Sequence, residues 1–300
     1  MGKTLGRLRR LPEIECFFPK KVGEALSLLK KYNGKAKVFA GGTDLLPKMK
    51  RREVVPRYLI GLNGIPDLTF IKYEKEKGLR IGTATTLSEI LESSIVHRRY
   101  PILEEAVSQM ASTQVRNIGT IGGNLCNAVP SADTAPPLIV LGAQLKIVGP
   151  NPRKERRVLV EDFFKGPDRT VLDSNELVSE IQIPPPSSKA YGTYIKHTLR
   201  REMDLAIVGV AVWFVLDSKK NICKDVKIAL GAVAPIPMRA KKAEAILRGK
   251  TLDEDLIESA ATMASEESKP IDDIRGSAEY RREMVKVLTK RAIQQSLEKI

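Results

Sequence analysis

Of 300 residues, three are cysteine and two are histidine. Cys16, Cys126 and Cys223 are isolated, with no CxxC pair, and only His97 and His197 supply imidazoles. Neither a disulfide framework nor a zinc or iron–sulfur site is expected, so the metal set is empty. Aromatic residues are 5% of the chain, which leaves little for stacking nucleic-acid bases. The longest apolar run, LAIVGVAVWFVL (Leu205 to Leu216), falls short of the roughly 20 residues that a membrane helix needs. No apolar stretch of signal-peptide length follows the basic N-terminus, so no membrane span and a cytoplasmic location are expected. Neither GxxxxGK[ST] nor GxGxxG occurs, which removes the P-loop and the dinucleotide-binding βαβ unit. No Ser-His-Asp, Cys-His or paired-carboxylate arrangement stands out, and no side chain is assigned a catalytic role.

Positive charge is abundant. Fifty Lys and Arg against 36 Asp and Glu give a net charge of +14, which suits nucleic acid, an acidic partner or an anionic cofactor. The cations are spread among glutamates, with RLRR and KMKRR the only short clusters, as on an ordinary solvated surface. A basic nucleic-acid-binding module is therefore the disfavoured alternative, beside a scaffold subunit that carries no ligand.

Periodicity divides the chain. VGEALSLLKKY (Val22 to Tyr32) has helical spacing and ends at Asn33-Gly34. A short strand, KVFA (Lys37 to Ala40), then runs through Gly41-Gly42 into TDLLPKMKRR, a helix start with Thr43 or Asp44 as cap. RYLIGLN reads as a strand, and Leu68 to Ser93 as a hairpin followed by a helix from about Ser88. PILEEAVSQMAS makes an amphipathic helix opened by Pro101. A helical turn and an alternating strand follow in PPLIVLGAQLKIVG, and NPRKERRVLVEDFFKG reads as hairpin and turn. IPPPSSKA breaks regular structure and marks a boundary. Beyond it, AYGTYIKHTL, LAIVGVAVWFVL and VKIALGAVAP read as three antiparallel strands, with three helical segments after them. The expected class is α+β: mixed α/β subdomains over 1–60 and 61–183, then an α+β domain over 190–300 with an antiparallel sheet and helices.

Two glycine turns are the candidate sites. AGGTD (Ala40 to Asp44) lies between a strand and a helix start, where backbone N–H groups suit a phosphate, although an inward Asp44 would repel one. TIGGN (Thr120 to Asn124) carries a hydroxyl on one side of its glycines and an amide on the other. Each alone fits a structural turn; together they suggest a backbone-lined cleft for a large ligand. Asp133, in the charge-poor PSADTAPP, either accepts a hydroxyl of that ligand or caps the helix near Pro136. His97, after a short helix among arginines, reads as a surface residue.

FAGGTDLL together with STQVRNIGTIGGNLCNAVPSADTAPPLIVLGAQL resembles the FAD-binding medium subunit of the molybdenum hydroxylases, the family of carbon monoxide dehydrogenase, 4-hydroxybenzoyl-CoA reductase, aldehyde oxidoreductase and xanthine dehydrogenase. ELVSEIQIP and YIKHTLRREMDLAIVGVAV extend the resemblance from about Phe17 to Ser296. It implies two subdomains of the PCMH type gripping FAD, and a C-terminal α+β domain. It further implies that Ala40, Gly41, Gly42, Thr43, Asp44 and Leu45, with Thr120, Gly122, Gly123 and Asn124, wrap the FAD, mostly through main-chain N–H groups on the pyrophosphate. Asp133 and Lys196 match residues beside the cofactor, Val178 takes the place of a leucine packed on it, and Ile118 and Gly119 fall next to the flavin ring. The partners implied are a molybdopterin-binding large subunit, a small subunit with two-iron clusters, and an external electron acceptor. In 4-hydroxybenzoyl-CoA reductase the related subunit carries a cysteine-bearing insert for a four-iron cluster, which three scattered cysteines do not supply.

Overall fold

A three-stranded parallel sheet opens the fold of the computed structural model, which describes residues 11, 13–151, 155–187, 190–200, 202–217 and 222–299. The RLRR cluster and part of the turn ahead of Ile222 lie outside the described residues. β1 (Glu15–Phe17) and β2 (Ala36–Phe39) flank β3 (Tyr58–Gly61), and all three deliver their C-terminal ends to one edge. That edge is where open parallel sheets receive ligands. α1 (Val22–Lys31), between β1 and β2, buries Ala25, Leu26 and Leu29 in a core with Ile60, Leu62 and Leu68. The AGGTD loop leads from β2 into α2 (Leu45–Lys50), as its residues imply. The expected cap is not made: Asp44 stands at the N-cap position without a side-chain capping bond, and Thr43 precedes it.

The second unit begins with the expected hairpin, β4 (Ile71–Glu74) and β5 (Gly78–Gly82). Five short helices follow: α3 (Leu87–Glu92), α4 (Ser94–Arg99), α5 (Pro101–Ser108), α6 (Thr113–Arg116) and α7 (Ile121–Asn127). α3 starts under a full capping box between Thr86 and Glu89. TIGGN is therefore not a free turn but the cap and first turn of α7, with the Thr120 side chain accepting from Gly123 N. α8 (Ala135–Val140), β6 (Gln144–Val148) and β7 (Arg156–Leu159) come next, then α9 (Val160–Phe163), β8 (Phe164–Gly166), β9 (Arg169–Thr170) and β10 (Leu177–Ile183). The antiparallel sheet runs β4-β5-β10-β6-β7, so the last strand of the unit is its centre. β10 is buried at Leu177, Val178, Glu180, Ile181 and Ile183, without the strict alternation of a one-sided strand.

β11 (Ala190–His197), β12 (Val208–Asp217) and β13 (Ile222–Gly231) form the expected antiparallel sheet, extended by β14 (Met238–Arg239). α10 (Lys241–Leu247), α11 (Glu254–Glu267) and α12 (Ala278–Leu297) cover one face, where Val210, Val212 and Ile228 share a core with Ala260, Leu288 and Ile293. Successive strand residues point to opposite faces. Ala211 and Ala229 therefore look the other way, into a core shared with Leu103 of α5 and Leu138 of α8. The C-terminal sheet is thus packed directly on the unit that carries the second glycine motif. No helix among the described residues is long and apolar enough to cross a membrane.

Candidate functional site

The two glycine segments touch. A Cβ placed on Gly41 would stand 1.9 Å from the carbonyl oxygen of Ile118, 2.6 Å from its carbon and 2.9 Å from Gly119 N. No side chain fits there, so glycine at 41 lets one backbone cross the other. Thr43 Oγ1 faces the same place, 3.7 Å from where a Gly119 Cβ would be. Gly42 has φ of +71°, the left-handed region that glycine enters without strain. Its carbonyl accepts from Leu46 N at 2.9 Å, and Asn63 Nδ2 holds the Ala40 carbonyl at 3.0 Å. The loop is fixed through its oxygens while the amides of Gly41, Gly42, Thr43 and Asp44 donate to no described group. Unpaired N–H groups in a fixed, half-covered loop are an anion-binding arrangement.

The second segment is arranged differently. Gly119 N donates to Val115 O at 2.7 Å, Ile121 N to Thr85 O, Gly122 N to Thr83 O at 3.0 Å, Gly123 N to Thr120 Oγ1 at 3.1 Å and Asn124 N to Thr120 O. These amides serve the fold. Gly122 is buried with a structural reason of its own, since a Cβ there would lie 1.7 Å from Thr83 Oγ1 and 2.6 Å from Thr83 O. Gly119 and Thr120 are also buried, Gly123 is exposed and Asn124 half-buried, so the segment offers a wall with one open end. Ile118 is 53% exposed, an apolar side chain left beside the crossing point. Val178 sits behind the wall in the core that holds Ile121 and Leu125, and Leu45 begins α2 half-buried.

A second tie joins the two segments below the crossing. Lys48 on α2 reaches Asn127 Oδ1 at the end of α7 (2.9 Å) and Asp168 Oδ1 in the β8–β9 turn (2.6 Å). Asp44 lies close enough to feel both: burial raises its carboxyl above the usual range, the Lys48 ammonium opposes that, and Asp168 adds to it.

Asp133 and Lys196 meet each other. Asp133 Oδ2 accepts from Lys196 Nζ at 2.9 Å and Oδ1 from the Tyr194 hydroxyl at 2.8 Å, while Lys196 also donates to the Gln109 carbonyl at 3.1 Å. The Lys196 and Asp133 side chains are 4% and 8% exposed. Burial pushes the Asp133 carboxyl up, against the pull of the ammonium and the phenol; burial beside Asp133 holds the Tyr194 phenol well above its usual range. The expected cap role of Asp133 is not observed, because its carboxylate is turned into the seam between the two units. Its neighbour Thr134 donates to Asn124 Oδ1 at 2.6 Å and so ties this network to α7. Tyr194, Thr134, Lys48 and Asn127 were not singled out from the sequence. For Tyr194 a signal existed: it stands two residues from Lys196 on a strand, hence on the same face. His97 is exposed, with Nδ1 3.0 Å from Glu104.

Residues 12–186 match the family described as the FAD binding domain in molybdopterin dehydrogenase, and residues 193–296 match the CO dehydrogenase flavoprotein C-terminal domain. The chain is 36% identical over 284 residues to the glyceraldehyde dehydrogenase medium chain of Sulfolobus acidocaldarius, covering 95% of this chain and 98% of that one. It is 37% identical to the carbon monoxide dehydrogenase medium chain of Hydrogenophaga pseudoflava, over 94% of this chain and 96% of that one. A solved structure of carbon monoxide dehydrogenase from Hydrogenophaga pseudoflava superposes with a TM-score of 0.92 at 36% identity, covering 96% of this chain and 99% of the other.

Proposed function

The chain belongs to the family of FAD-binding flavoproteins of the molybdopterin dehydrogenases, and from that premise we propose that it takes electrons from the iron–sulfur clusters of a partner subunit and passes them to an external acceptor. It is a FAD-binding oxidoreductase subunit. In this reading its partners are a molybdopterin-binding large subunit and a small subunit with two-iron clusters, supported by the medium-chain relatives that it matches almost end to end. When bound, the flavin supplies the redox chemistry, accepting and releasing an electron pair.

The residues present fit that group. The cradle at Gly41, closed to any Cβ, and the four amides from Gly41 to Asp44 that meet no acceptor among the described residues carry the reading. They would bind the pyrophosphate, held in place by the Asn63 bond to Ala40 and by the left-handed turn at Gly42. Thr120, Gly122, Gly123 and Asn124 would form the opposing wall, with Gly119 and Leu45 at its margins and Val178 packed behind. Lys48 and Asn127 would keep the walls apart at a fixed width. Ile118 would shield the cofactor from water, and Lys196 beside Asp133 would supply a fixed positive charge. A net charge of +14 favours an anionic cofactor on approach. The nucleic-acid-binding and flavin-free readings have no support in the family match.

The test is reduction of the flavin by way of the partner. In the purified complex, substrate added without oxygen should bleach the iron–sulfur absorbance and then the flavin absorbance. A flavin that stays oxidised beside reduced clusters would contradict the proposed route.

A further inference from the structure

We propose that Tyr194 is a positioning residue for the cofactor site: its hydroxyl fixes the Asp133 carboxylate, which in turn fixes the Lys196 ammonium at the seam between the FAD-binding unit and the C-terminal sheet. The inference rests on the FAD-binding reading above. An ammonium has three N–H donors, and those of Lys196 meet Asp133 Oδ2 and the Gln109 carbonyl, which leaves one with no partner among the described residues. A buried lysine with one unspent donor has a single direction left in which to act, and that direction is set by the carboxylate it leans on.

The carboxylate is in turn set by Tyr194. Asp133 Oδ1 takes the phenol and Oδ2 the ammonium, so removing the phenol frees the carboxylate to rotate and draw Lys196 with it. One hydrogen bond ties this network to the wall of the candidate site, and the chain itself gives a second link. Thr134 bonds Asn124 of α7, and the chain from Gln109 runs on through α6 to Ile118, where it crosses Gly41. Room for the phenol is made by another glycine. Gly209, the β12 partner of Lys196, would put a Cβ 2.8 Å from the Tyr194 hydroxyl, with the ring carbons at an ordinary 3.5 Å. Gly209 thus admits the hydroxyl specifically, and the ring would tolerate a methyl.

Three variants of the full chain separate this role from simple packing. Tyr194→Phe should keep the fold and still bind FAD about tenfold more weakly, a loss typical of one charge-assisted hydrogen bond. It should also lower the midpoint potential of the bound flavin, because a displaced ammonium stabilises the reduced, anionic flavin less. Gly209→Ala, which displaces the hydroxyl, should reproduce both changes and lower the melting temperature. Gly209→Ala/Tyr194→Phe should regain the melting temperature of Tyr194→Phe while keeping its weak binding and low potential. If Tyr194→Phe does not fold, Gly209→Ala carries the same comparison. Wild-type chain that binds no FAD would overturn the FAD reading itself. Wild-type chain that binds FAD, with variants of unchanged affinity and potential, would overturn the positioning role alone.

Discussion

Gly41→Ala is the sharpest perturbation of the candidate site. The added carbon would meet the Ile118 carbonyl at 1.9 Å and Gly119 N at 2.9 Å, both backbone atoms that no rotamer change can move. Ordinary contact needs about 3.5 Å, so the two segments must part by more than about 1 Å. Lys48, bonded to Asn127 and Asp168 below the crossing, resists that movement, and the strain falls on the Ala40 to Asp44 loop. If the shift loses two amide bonds to the pyrophosphate, at about 1.5 kcal/mol each for bonds to a charged group, FAD affinity falls about a hundredfold. Overpacking of this size also costs about 1–3 kcal/mol of stability. The assay is FAD titration of the flavin-free chain, read by flavin absorbance, with thermal unfolding followed in parallel. Gly23→Ala in α1 is the control, because nothing lies within 4 Å of its new carbon. A Gly41→Ala chain that folds and binds FAD as tightly as the wild type would refute the reasoning.

Gly122→Ala should act on the fold before the cofactor. Its Cβ would strike Thr83 Oγ1 and, at 2.6 Å, the Thr83 carbonyl, so a drop in melting temperature of the flavin-free chain is expected and Thr83→Ala should not restore it. At Asp273, burial would raise the carboxyl, but the Arg275 amide and the Arg281 guanidinium outweigh it and hold it below the usual range. A depressed folded value gives stability that is present above the ordinary aspartate pKa and lost as pH falls through the folded one. Asp273→Asn should therefore cost about 2 kcal/mol at neutral pH, since Arg281 is 4% exposed and loses a charged partner. It should also flatten the acid limb of a stability-against-pH curve.

Much of the architecture was legible where one residue type dictates one conformation. The strand, glycine and helix succession around AGGTD, the proline-opened α5 and the antiparallel β11–β13 sheet all follow from local pattern. α7 did not, because two glycines in its first turn argue against a helix, and the Thr120 cap with the Thr83 and Thr85 carbonyls outweighs them. β10 lacks a clean period of two, since it is the central strand with both faces largely covered. Asp133 was recognisable as important, but its partners are 61 and 63 residues away, and only the packing of α8 on the C-terminal sheet brings them together. The division of labour between the loops was equally hidden. Both are glycine-rich, and they differ in where their amides go: those of Gly41 to Asp44 meet no acceptor among the described residues, while those of Gly119 and Ile121 to Asn124 hold the fold.

The central claim, a flavin seated between Ala40–Leu45 and Ile118–Asn124, is tested most directly by amide hydrogen exchange on the flavin-free chain before and after adding FAD. The account predicts one FAD per chain and marked slowing at Gly41, Gly42, Thr43 and Asp44, whose amides have no described acceptor, with little change at Gly122. No FAD uptake, or uptake that leaves the amides from Gly41 to Asp44 exchanging as fast as before, would contradict it.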